Sequence, residues 1–136
     1  MIRKDLIDSE IQKLAQVLAK ILKLKNEGNV DDATELSYTT LAETFGLDAA
    51  SLHTASTEDF QEYLNDTKLP AAKLDFLAQL LFESVYPFQE TDETFAVLHK
   101  TSAVLTLLET EYHQQSFENI ARREQIDKFL NNRQYE

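Results

Sequence analysis

The chain has no cysteine, no tryptophan, and only two glycines and two prolines in 136 residues. Without thiols there is no disulfide, no thiolate nucleophile, no Cys-ligated zinc and no iron–sulfur cluster. Two glycines cannot supply a phosphate-binding loop, a dinucleotide fingerprint or a G-x-S-x-G nucleophile elbow. Each of these needs glycine where the backbone turns sharply or approaches a ligand. Bases are scarce as well: 13 Lys and Arg against 24 Asp and Glu leave a formal charge of −11. No apolar run approaches the roughly 18 residues of a membrane span, and charges stand in the opening MIRKDLIDSEIQKL where a signal peptide needs its apolar segment. The expectation is a cytoplasmic protein without metal or cofactor.

What is present is ordinary globular material, 43% hydrophobic with eight Phe and five Tyr. A chain of this size buries about two thirds of its unfolded surface, enough for one core. The charge is uneven. Residues 29–98 hold fourteen acids and two bases, while the flanking segments are close to balance. A field of that sign repels phosphate backbones, so nucleic acid and anionic membrane surfaces are poor partners for this region.

Apolar periodicity assigns the elements. Ile7, Ile11, Leu14, Leu18 and Ile21 recur at alternating spacings of four and three, the stripe of a long amphipathic helix over 5–26. Lys20, Lys23 and Lys25 suit its carboxyl end, and Gly28 its left-handed cap. Asn29 is placed to cap a second helix, 31–45, which Gly46 ends with Leu47 as its hydrophobic companion. Asp48 and Ser56 are cap candidates for two short helices before Lys68. Pro70 suits the first turn of a third long helix, 70–86, ended by Tyr86 before Pro87 and apolar around most of its circumference. Thr91 or Asp92 opens a helix to His113, and Ser116 caps a last one, 117–131, with fraying expected from Asn131 to Glu136. The fold class is all-α over a single domain, 1–136. It has five long helices and one or two short ones, with 5–26 and 31–45, then 70–86 and 92–113, as antiparallel hairpins.

Gly28, Asn29, Val30, Asp31, Asp32 and Ala33 stand where the tetratricopeptide repeat has a glycine, a polar residue, an aromatic or aliphatic one, two acids and an alanine. The segment Lys25 to Leu41 resembles the turn of that repeat. Lys20 and Ile21 depart from it, no proline closes the unit after Leu41, and a second hairpin lacks the glycine turn. From MIRKDLIDSEIQKLAQVLAKIL to SFENIARR the chain is also similar to a family of small helical proteins of this repeat-like fold. No activity is established for that family, so the resemblance implies a helical array and no catalytic residues.

Chemistry is hard to find. His53, His99 and His113 are the groups that titrate near neutrality unaided. His99 and His113, placed on one helix, would lie about 21 Å apart and could not share a metal. Glu109 and His113 make a surface pair, and Asp31–Asp32 and Asp92–Glu93 are accounted for by helix dipoles. Two features exceed core building. Phe76, Phe82, Tyr86 and Phe88 cluster near the end of the third long helix, and Arg122–Arg123 is a basic pair in an acidic chain. The aromatics are core or line a groove. The arginines pair with the acidic middle or meet a partner's carboxylate or phosphate.

The chain is therefore read as a non-catalytic helical interaction module, self-associating or binding a protein or peptide. Self-association draws on the apolar stripe Ile7 to Ile21 and the nearly all-round apolar helix 70–86. The alternative is a small-ligand binder with an apolar pocket formed by Phe76, Phe82, Phe95 and Tyr112.

Overall fold

A computed structural model describes residues 2–133, with side chains from 8 to 132. The side chain of Ile7 and residues 134–136 lie outside the described residues. All regular structure described is helical: α1 (Ile2–Asn26), α2 (Val30–Phe45), α3 (Ala49–Thr54), α4 (Thr57–Thr67), α5 (Ala71–Val85), α6 (Asp92–Thr110) and α7 (Phe117–Arg133).

Local chemistry sets the boundaries. After α1, Gly28 takes φ +84° and the Asn29 amide reaches back 2.8 Å to the Leu24 carbonyl, closing the turn. Asn29 stands at the N-cap of α2 with φ −95° and ψ 59°, not the extended backbone of a capping residue, and makes no side-chain cap there, contrary to the sequence expectation. Gly46 closes α2 at φ +68°, with the Gly46 amide on Ala42 and the Leu47 amide on Leu41. Leu47 folds under this cap and is buried. Asp48, Ser56, Thr91 and Ser116 each accept from a backbone amide three residues on, capping α3, α4, α6 and α7. The Asp48 carboxyl is held below the usual range by the Ser51 backbone amide it accepts from.

α6 stops at Thr110 rather than at His113. Glu111 and Gln114 return their amides to Leu107 and Leu108, and His113 takes the left-handed conformation between them at φ +53°. His99 and His113 therefore do not share a helix.

Gly46→Ala tests the cap. A β-carbon there meets nothing within 4 Å, so its cost is the left-handed backbone alone. About 1–2 kcal/mol, a fall of roughly 3–8 °C in Tm by thermal unfolding, is expected.

α5 occupies the centre, packed against α1, α2 and α6. Leu74, Leu77, Leu80 and Leu81 are all buried, and their positions span more than one side of the helix. Two ion pairs fix the direction of α1 beside it: Glu10 holds Lys73 at 2.8 Å near the start of both helices, and Lys25 holds Glu83 at 2.6 Å near the end of both. α1 and α5 thus run the same way. Lys25 also donates to the Glu83 and Tyr86 carbonyls, closing the carboxyl end of α5. α3 and α4 also pack on α6, and α7 lies on α6 with Ile126 fully buried.

Much of the apolar surface expected on the first and third long helices is covered within this one chain. Leu14 and Ile21 of α1 and the α5 leucines belong to one continuous core cluster, so they offer no seam to a second copy. Leu22 on α1 stays exposed, and the most exposed large apolar group described is Phe117, at 89%.

Candidate functional site

The expected aromatic pocket is not assembled as expected. Phe82 stacks on Tyr86 at 5.3 Å and meets Phe88 edge-on, also at 5.3 Å. Phe88 continues to Phe129 at 5.2 Å, and Phe129 stacks on Phe95 at 5.2 Å. These rings fill their space against one another and lock α7 to the α5–α6 connection. Phe76 joins no ring contact among the described residues; it is half-buried against the leucine core. Tyr112 lies on the surface with its hydroxyl on the Leu69 carbonyl at 2.9 Å.

The arginines pair within the chain, though not with the acids of 29–98. Arg123 holds Glu109 at 3.2 Å and Thr106 at 3.1 Å. Arg122 donates to Asn119 at 2.7 Å and lies over the Phe82 ring. Asn119 in turn donates to Asp75 at 2.7 Å, and Gln79 takes the second Asp75 oxygen. A recess of about 490 Å³ beside Asp75, His113 and Asn119 therefore has its amide and carboxylate already engaged.

A cleft of about 280 Å³ is different in kind. It opens where the start of α2, α3, the end of α5 and the start of α6 meet, at the connection that carries the cis peptide Tyr86–Pro87. α2 contributes Asp31, Thr34 and Tyr38, α3 contributes His53, and α6 contributes Glu93 and Thr94. Val30, Ser84, Val85, Tyr86, Pro87 and Gln89 complete the wall. The Tyr38 hydroxyl and His53 Nε2 are 3.0 Å apart, the rings edge-on at 5.5 Å. Ser84 is buried beneath, its hydroxyl donating to Leu81.

Electrostatics decides what this pair can do. Burial pushes the Tyr38 phenol above the ordinary tyrosine range; Ser84 opposes this and the Glu93 charge adds to it. A phenol raised in this way stays protonated at neutral pH. It is a hydrogen-bonding group and a poor nucleophile or base.

Of the seven contact candidates Phe76, Phe82, Tyr86, Phe95, Tyr112, Arg122 and Arg123, Tyr86 alone lines this cleft. Tyr38 went unremarked because its partner His53 is fifteen residues away on another helix. Asp31 and Glu93 were noticed but fully explained as first-turn acids. Among the described residues no group of three His, Asp or Glu is placed to hold a metal ion, and no helix is long and apolar enough to cross a membrane. No family model, curated protein or solved structure matches the chain.

Proposed function

We propose that this protein is a non-catalytic helical interaction module that receives a segment of a partner protein in the cleft between α2, α3, α5 and α6. One observation carries the reading: a formed cleft in which Tyr38 of α2 and His53 of α3 meet as a hydrogen-bonding pair. At about 280 Å³ it lies at the lower edge of the roughly 300–1,000 Å³ typical of small-molecule sites. That size suits one side chain of a peptide better than a free ligand. The tight ring contacts of Phe82, Phe88, Phe95 and Phe129 speak against the alternative of an apolar ligand among the aromatics.

The tetratricopeptide likeness belongs to the same proposal. The Gly28 turn, α1 and α5 running in one direction and α2 packed against both support stacked helical hairpins of that type. Tyr112, Phe117, Arg122 and Arg123 are secondary contact candidates, and self-association would use the exposed Phe117 face.

The test is affinity capture from native extract with three folded baits. Wild-type and Phe117→Ser proteins are expected to recover the same partner, and a Tyr38→Phe, His53→Ala double variant to lose it. Undiminished recovery by the double variant contradicts the reading.

A further inference from the structure

We infer that Lys100 is a positioning residue for the cleft: it pins the carboxyl end of α3 to α6, and through α3 it keeps the His53 ring against Tyr38. The inference rests on the interaction reading above and names a residue, remote from the cleft wall, that sets the geometry of the binding face. Lys100 is 2% exposed, its ammonium donates to the Ala55 carbonyl at 2.7 Å, and it has no ion pair among the described residues. One hydrogen bond does not outweigh the burial of a charge without a counter-ion, so this lysine adds little to stability. What it supplies is a fixed point. A charged donor makes the shorter and stronger kind of hydrogen bond, and this one joins residues 45 apart in the chain.

The place of that point in the chain gives it leverage. Only Ala55 and Ser56 separate α3 from α4; the Ala55 backbone is extended at φ −68° and ψ 143°, and Ser56 caps the helix that follows. The Ala55 carbonyl therefore marks the corner between two short helices, at the end of α3 where the helix dipole favours a cation. With six residues, α3 is too short to hold itself without outside contacts. Its anchors are the Asp48 cap at one end, the buried Leu52 in the middle and Lys100 at the other end. His53 lies between Leu52 and that corner, and its Nε2 is 3.0 Å from the Tyr38 hydroxyl on α2. Lys100 lines no part of the cleft and reaches it through α3 alone. α6 thus supplies one wall of the cleft, with Glu93 and Thr94, and fixes the placing of another.

The experiment follows the Tyr38–His53 contact in the full chain by magnetic resonance, using cross-relaxation between the two rings and the chemical shifts of the His53 ring nitrogens. Three proteins are compared: wild type, Lys100→Met and Ile126→Val. Methionine keeps the volume of the lysine stem, so the variant folds, but it leaves the Ala55 carbonyl without its donor. The corner then turns towards water and carries His53 with it. Ile126→Val trims a buried side chain on α7 and so lowers stability from a different helix.

The ring-to-ring signal is expected in wild type and in Ile126→Val and is expected to be lost in Lys100→Met, with the His53 nitrogens shifted and the amide signals of α1 and α5 in place. A signal kept at full strength in Lys100→Met, or lost to the same degree in Ile126→Val, overturns the assignment. Partner capture separates the two claims. If Lys100→Met has lost the ring contact yet recovers the partner in full, the role of Lys100 stands and the interaction reading is contradicted. If the ring contact survives in Lys100→Met while the Tyr38→Phe, His53→Ala variant loses the partner, the role of Lys100 is wrong and the interaction reading stands.

Discussion

Lys100→Ala is expected to destabilise the protein by about 2–5 kcal/mol, whereas Lys100→Met should stay within about 1 kcal/mol of wild type. Lys100 is among the largest fully buried side chains, 2% exposed, at the contact of α6 with α3. Its ammonium donates to the Ala55 carbonyl at 2.7 Å, just past the end of α3, and it has no ion pair among the described residues. Alanine removes the stem, opens a cavity and takes the donor from Ala55, so transfer, cavity and hydrogen-bond losses add. Methionine keeps the stem's volume. It loses the donor but also removes a buried charge, and the two effects offset each other.

The same lysine predicts a pH dependence with a definite sign. Burial lowers its pKa from the ordinary 10.5, so the folded chain releases this proton more readily than the unfolded chain. Between the depressed folded value and 10.5 the unfolded state binds more protons, and stability contributed at this site rises with pH. Below that window the cost of burying the charge is present in full. Urea unfolding of wild type and Lys100→Met across alkaline pH should show wild type gaining on the variant. A difference that stays flat contradicts the account.

Leu81→Ala is expected to cost about 3–5 kcal/mol, a large share of the 5–15 kcal/mol typical of a whole domain. Leu81 has no exposed surface and sits on α5, the helix that touches α1, α2 and α6 at once. A cavity in so closely packed a helix collapses only in part. Phe117→Ser should change stability by less than about 0.5 kcal/mol, because the ring is already 89% exposed. Chemical denaturation with a shared slope for both variants checks the contrast.

Much of the helical framework was legible because its signals are local. Gly28 and Gly46 take positive φ, Asp48, Ser56, Thr91 and Ser116 cap, and Tyr86 before Pro87 ends α5, each through residues a few positions apart. Errors arose where a distant or competing bond intervened. Asn29, its amide bound to Leu24, has φ −95° and ψ 59° and lacks the extended backbone of the capping residues, so its side chain does not cap, and the return of Gln114 to Leu108 ends α6 before His113. The apolar stripes were visible, but their partners were not. Leu14 and Ile21 are covered by the same chain, which reduces the surplus that suggested a second copy.

The cleft was the least legible part. Tyr38 and His53 meet only because α3 follows the Gly46 turn, and Glu93 joins them from α6 across the fold. Periodicity marks residues that face the core. It carries no information on which half-buried polar groups converge. Lys100 shows the same limit, since a buried lysine on an otherwise apolar face gives no local sign of the Ala55 carbonyl it serves.

The central claim is that the α2–α3–α5–α6 cleft is the binding face. Hydrogen exchange of the full chain, free and with its captured partner, tests it most directly. The account predicts added protection over residues 30–38, around His53 and over 84–94, with α7 unchanged. Protection confined to Tyr112–Ile120, or none at the cleft, would contradict it.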